Sequence, residues 1–165
     1  MRPSLRSSLR RLTSKDIASG HEAAPFAAAR TFSHDVLLVE DDPTMRQTLG
    51  QFLALSGYSV LTAPDGRAAL QTLANQLARL IITDIFMPET DGFELLTELR
   101  EASVNSPIVV MTGGYGGERK LSLDVARHLG AARLLAKPFG LGQLLAVVNE
   151  LIGYPAPRTA RSSSA

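Results

Sequence analysis

Glu40, Asp41, Asp84, Thr112 and Lys137 supply three carboxylates, a hydroxyl and an ammonium, and each follows a short apolar run. The runs are Val36 to Val39 before Glu40-Asp41-Asp42, Leu80 to Thr83 before Asp84, Ile108 to Met111 before Thr112, and Leu134 to Ala136 before Lys137. Carboxylate oxygens bind hard divalent cations such as Mg²⁺, while a hydroxyl and an ammonium suit phosphoryl oxygens. If the runs are parallel strands, their carboxyl ends share one sheet edge, where ligand sites in open α/β sheets form. The groups would then meet in one pocket for a divalent cation and a phosphoryl group.

Taken singly, each residue has an ordinary structural use. Asp42 before Pro43 fits a helix N-cap, Asp84 an Asx-turn, Thr112 before Gly113 a turn, and Lys137 a solvated surface. Taken together, the carboxylates are costly. Like charges about 4 Å apart repel by about 4 kcal/mol at an effective dielectric near 20, a cost tolerated where a cation is the intended occupant.

The elements that would position these groups alternate. Asp42 caps a helix with Pro43 at its first position, and Met45, Leu49, Phe52 and Leu53 form its apolar face up to Ser56-Gly57. A strand over Tyr58 to Ala63 follows, then a helix capped by Asp65 that buries Ala69, Leu70 and Leu73, then a strand over Arg79 to Thr83. Next come a helix from Gly92 or Phe93 to Ala102 with Phe93, Leu96 and Leu99 inward, a strand over Pro107 to Thr112, and a helix near Glu118 to Leu129. Arg133 to Ala136 is the last strand, and the last helix, Leu141 to Ile152, buries Leu144, Leu145, Val148 and Leu151. Strands separated by helices imply parallel crossovers, and the unbroken apolar character of strands one, three and four makes them central. The fold class is α/β, a doubly wound five-stranded parallel sheet flanked by five helices.

Composition limits the rest. The 165 residues contain no cysteine, which removes disulfides and thiolate chemistry. No stretch is apolar enough for a transmembrane helix or a signal peptide, so a soluble cytoplasmic protein without membrane insertion is expected. The net charge of +1 conceals a division. Residues 1–34 hold six basic and two acidic residues, residues 35–152 nine and fourteen, and residues 153–165 two and none. The Ser, Ala and Arg-rich arm 1–34 and the Pro and Ser-rich tail 153–165 are expected to be disordered around a domain spanning 35–152, with no nucleic-acid partner.

Val39-Glu40-Asp41-Asp42-Pro43-Thr44-Met45-Arg46, Asp84-Ile85-Phe86-Met87-Pro88-Glu89-Thr90-Asp91-Gly92, Thr112-Gly113 and Lys137-Pro138-Phe139 closely resemble the receiver domain of bacterial two-component response regulators. The resemblance covers 35–152 and implies the flavodoxin-like receiver fold. It implies that Asp84 accepts a phosphoryl group from a sensor histidine kinase or histidine phosphotransfer protein. Mg²⁺ would be held by Asp41, Asp84, the backbone carbonyl of Phe86 and, through a water, Glu40. Lys137 would pair with the phosphoryl oxygens, and with Asp84 before phosphorylation. Thr112 would supply the switch hydroxyl, and the Lys137–Pro138 bond would be cis.

Two positions depart from the family pattern. Leu134 stands where a Tyr or Phe usually takes part in the switch, and Phe86 is bulkier and more apolar than many residues at its position. The glycine-rich stretch Thr112 to Gly117 fits a mobile switch and a plain surface loop equally well. Haloacid-dehalogenase-like phosphatases also place an aspartate after a parallel strand, but they need a second acid where Phe86 stands, and no cap domain fits in the chain. A receiver-like docking module that is never phosphorylated is the other alternative. The flanking segments are too short for an output domain, so the expectation is a single-domain regulator, not an enzyme beyond its own phosphorylation and dephosphorylation, that signals through a partner protein.

Overall fold

The strand ends share one edge because all the strands are parallel, each crossover carrying the chain back to the edge where the strands begin. The computed structural model describes residues 32–87, 92–113 and 124–155. In chain order the elements are β1 (His34–Val39), α1 (Pro43–Leu55), β2 (Val60–Ala63), α2 (Gly66–Asn75), β3 (Ala78–Asp84), α3 (Gly92–Glu101) and β4 (Ile108–Thr112). There follow α4, described over 124–128, then β5 (Arg133–Ala136) and α5 (Leu141–Ile152). The strands form one parallel sheet in the order β2-β1-β3-β4-β5, with β1, β3 and β4 inside as their unbroken apolar runs require.

Alternation along the strands divides the core between two faces. Leu37, Val39, Ile81 and Val110 pack with Ala69 and Leu73 of α2, Leu95, Leu96 and Leu99 of α3, and Ala126 of α4. Val36, Leu38, Leu80, Ile82 and Val109 pack with Leu49 and Leu53 of α1 and Leu144 and Val148 of α5. Two of the helix starts carry the expected caps. Asp42 Oδ1 accepts from the Met45 N–H at 2.6 Å, and Asp65 Oδ1 accepts from the Ala68 N–H at 2.7 Å.

The structure differs from the sequence expectation at several edges. β1 begins at His34, inside the segment assigned to the arm, with the N–H groups of Ser33 and His34 donating to the Leu77 carbonyl. Tyr58 and Ser59 precede β2 instead of opening it. Tyr58 is buried among side chains of α1 and α5, and its hydroxyl donates to Asn149 Oδ1 and to the Gly153 carbonyl. Ser59 is held by Asp35, which also pairs with Arg79, and Arg79 in turn donates to the Ile152 carbonyl at 2.6 Å. This polar cluster fastens the end of α5 beneath the sheet, opposite the strand ends. Burial raises the Asp35 carboxyl pKa, but hydrogen bonds from Ser59 and Arg79 outweigh it and hold the group below its usual value.

Residues up to 31, 88–91, 114–123, which hold the glycine-rich stretch and the expected helix start near Glu118, and those from 156 lie outside the described residues. Among the described residues no helix is long and apolar enough to cross a membrane.

Candidate functional site

Strand register sets the site. Val39 aligns with Thr83, Asp84 with Met111, and Thr112 with Ala136. The residues at or after these ends therefore share one edge: Glu40 and Asp41 after β1, Asp84 closing β3, Thr112 closing β4, and Lys137 after β5. Glu40 and Asp84 are only 1% and 5% exposed, and Asp41 is more open. One carboxylate oxygen from each of the three lies within 4.8 Å of the others.

Lys137 reaches into this cluster. Its Nζ donates to Asp84 Oδ2 at 2.5 Å and to Glu40 Oε2 at 2.8 Å. The pairing with Asp84 is the one expected from sequence, whereas the direct contact with Glu40 is not. Burial pushes the Glu40 carboxyl above its usual value, with Lys137 pulling the other way. Burial alone would lower the Lys137 pKa, but the bonds to Asp84 and Glu40 raise it overall, so the ammonium stays charged.

The first residues after β3 turn back onto the Asp84 carboxylate. The Phe86 N–H donates to Asp84 Oδ1 at 3.0 Å, and Phe86 itself is half exposed. Thr112 is fully buried, and its hydroxyl donates to the Gly113 carbonyl at 3.1 Å. Its own carbonyl accepts from the Lys137 N–H at 2.8 Å, tying the ends of β4 and β5 together. Leu134 is half-buried and packs into the core on the α2, α3 and α4 face. The Lys137–Pro138 bond is cis, as the resemblance implied. An open cleft of about 740 Å³, lined by Asp42, Met45, Leu49, Gly113, Lys137 and Phe139 among others, reaches the lysine from the α1 side.

Two residues at the site were not assigned a role from sequence. Arg46 Nη1 donates to the carbonyls of both Glu40 and Asp41. The signal for it was its place four residues beyond the Asp42 cap, since helical side chains lean toward the N-terminus. Gly92 opens α3 against the end of β3, its N–H donating to the Ile85 carbonyl at 3.0 Å. A Cβ there would lie 2.4 Å from the Asp84 carbonyl oxygen and 2.6 Å from Ile85 Cα.

Three carboxylates against one ammonium leave an excess of two negative charges when all are ionised. The donors are all hard oxygens, which fits Mg²⁺ and disfavours soft metals. A carboxylate with an ammonium on one oxygen is arranged for nucleophilic attack on phosphorus, with positive charge ready for the phosphoryl oxygens.

The family model described as response regulator receiver domain matches residues 36–149. Over 131 residues the chain is 37% identical to the response regulator MprA of Mycolicibacterium vanbaalenii, a match covering 79% of this chain and 55% of that one. The chain spans about half the length of the curated relatives it matches. Among solved structures it resembles the chemotaxis protein CheY4 of Vibrio cholerae at 33% identity and a TM-score of 0.65, covering 72% of this chain and 98% of that one. It also resembles the receiver domain of the Francisella response regulator 1452, at 29% identity and a TM-score of 0.64, covering 72% and 95%.

Proposed function

The chain belongs to the response regulator receiver domain family, and on that premise we propose that Asp84 is the phosphoacceptor of a two-component phosphorelay. One observation carries the reading. Asp84 is a buried strand-end carboxylate whose two oxygens are already oriented, one by Lys137 and one by the Phe86 N–H, with Glu40 and Asp41 alongside. In the proposed step an Asp84 oxygen forms a bond to phosphorus as the P–N bond of a donor phosphohistidine breaks and the imidazole leaves with the electron pair. Lys137 exchanges Asp84 Oδ2 for the phosphoryl oxygens, and Thr112 turns its hydroxyl from the Gly113 carbonyl toward them.

Asp41, Asp84 and the Phe86 carbonyl would hold Mg²⁺ directly and Glu40 through a water. The ion, when bound, offsets the repulsion between carboxylate and phosphoryl oxygens. The donor is a sensor histidine kinase or a histidine phosphotransfer protein in the cytoplasm of a bacterium. The output is a phosphorylation-dependent association with another protein, without catalysis beyond gain and loss of the protein's own phosphoryl group. The family match and the solved receivers of which this chain covers nearly the whole length support this reading.

Acetyl phosphate tests it directly. With Mg²⁺ the intact mass should rise by one phosphoryl group, and a protein that takes up none is a docking module instead. Metal addition gives a second check. At about ten times Kd, Mg²⁺ adds about 1.4 kcal/mol to stability, which should raise the melting temperature by a few degrees. An unchanged melt in millimolar Mg²⁺ would refute the cation site.

Phe86 bears on how long the signal lasts. Phe86 stands two residues after Asp84 and is half exposed, so a bulky ring there would obstruct the water that hydrolyses the acyl phosphate. Phe86→Ala should therefore shorten the phosphoryl half-life, read as loss of label from purified phosphoprotein. An equal or slower loss would count against such shielding.

A further inference from the structure

The backbone that carries two of the site's carboxylates is hydrogen-bonded by a side chain that is not one of them. Arg46 lies on the first turn of α1 and is half-buried, and its Nη1 donates to the Glu40 carbonyl at 2.6 Å and the Asp41 carbonyl at 3.0 Å. Both bonds leave one nitrogen, so two successive peptide groups are drawn to a single point on the helix. A peptide group is planar. Fixing its carbonyl therefore fixes its plane and limits the directions in which the flanking Cα–Cβ bonds point. The rest of the loop is stitched to the same framework. The Glu40 N–H donates to the Ala63 carbonyl at 3.1 Å, the Asp42 N–H lies 3.4 Å from Glu40 Oε1, and Asp42 caps α1 through the Met45 N–H.

We propose that Arg46 is a positioning residue for the cation site, clamping the Glu40 and Asp41 backbone so that their carboxylates stand together with Asp84. The role rests on the Mg²⁺-dependent receiver reading above. It is distinct from an electrostatic effect, and the two differ in sign. A guanidinium near an acidic pocket repels a divalent cation, so an arginine acting through charge alone would weaken Mg²⁺ binding and its removal would tighten it. A clamp does the opposite. Without it, two carbonyls lose their donor, the loop gains freedom, and the ligands must be ordered anew each time the ion binds.

The test is a MgCl2 titration of the full chain followed by amide NMR shifts, on wild type, Arg46→Met and Arg46→Lys, with the metal-free melting temperature of each. Loss of a residue that orients metal ligands typically weakens binding 10- to 100-fold, so Arg46→Met should bind Mg²⁺ about 10-fold more weakly or worse. Arg46→Lys keeps a charge and an ammonium able to reach a carbonyl, and should fall between Arg46→Met and wild type. A merely structural role would lower the metal-free melt and leave the Mg²⁺ Kd where it was. Equal or tighter binding by Arg46→Met overturns the proposal. If Arg46→Met does not fold, Arg46→Lys decides: weaker binding than wild type supports the clamp, and equal or tighter binding overturns it. Absence of Mg²⁺ binding by wild type would overturn the receiver reading itself, and the clamp with it, whereas binding by wild type separates the two questions.

Discussion

Asp84→Asn is expected to fold like the wild type and to gain no phosphoryl group from acetyl phosphate. The substitution removes the anionic nucleophile and almost nothing else. An amide oxygen can still accept the Phe86 N–H bond now made to Oδ1. Lys137 is not stranded, because its second bond, to Glu40 Oε2 at 2.8 Å, remains. That matters because removing the only partner of a buried charge costs about 3–5 kcal/mol, whereas here one partner of two is lost. The neighbours even gain a little: Asp84 adds to the forces raising the Glu40 pKa, and neutralising it eases that repulsion. Loss of uptake with a near-native melting curve is therefore the expected pair of results, read by intact mass and by thermal denaturation. Phosphoryl uptake by Asp84→Asn at the wild-type level would place the nucleophile elsewhere and end the present assignment. The same variant should also respond less to Mg²⁺, since one of the three clustered carboxylates is gone.

Most of what positions Asp84 was legible in the chain, because the signals are local. Four apolar runs of strand length, each closing on a polar residue, required only the period of a β-strand and the rule that parallel sheets gather ligands at their carboxyl ends. Asp42 and Asp65 were readable as caps for the same reason, since a cap acts within one turn. What escaped notice depends on packing between distant segments. Tyr58 has the composition of a strand residue, yet its hydroxyl is claimed by Asn149 and the Gly153 carbonyl, and β2 starts only at Val60. The resemblance implied a place for Glu40 beside the ion, but only the placement of β5 brings the Lys137 ammonium onto it directly. His34 joins β1 because the Leu77 carbonyl is there to receive its N–H, which no local pattern announces. Leu95 is buried in α3 although the inward face was assigned to Phe93, Leu96 and Leu99. The helix is rotated so that adjacent leucines both face the sheet.

Among the described glycines, Gly92→Ala should be the most damaging glycine-to-alanine change. Glycine at the start of a helix ordinarily looks like a weakness, since alanine is the better helix former by about 1 kcal/mol. Here the sign reverses. The added Cβ would sit 2.4 Å from the Asp84 carbonyl oxygen, 2.6 Å from Ile85 Cα and 3.1 Å from the Ile85 carbonyl oxygen. All three are backbone atoms, so no rotamer change relieves the overlap. α3 must withdraw, breaking the Gly92 N–H bond to Ile85 and loosening Leu95, Leu96 and Leu99, or the end of β3 must move. Forced overpacking costs about 1–3 kcal/mol and occasionally more, and the rigid neighbours argue for about 3 kcal/mol or above, well beyond the helical gain. Either displacement also shifts the Asp84 backbone, so phosphoryl uptake should fall even in the fraction that remains folded. Gly142→Ala is the matching control. It adds the same methyl to the first turn of α5, where nothing lies within 4 Å, and should be neutral or slightly stabilising. Urea denaturation of the two variants compares them directly. A Gly92→Ala protein as stable as Gly142→Ala, and phosphorylated at the wild-type rate, would mean that the close approach of α3 to the β3 end is not what holds Asp84 in place.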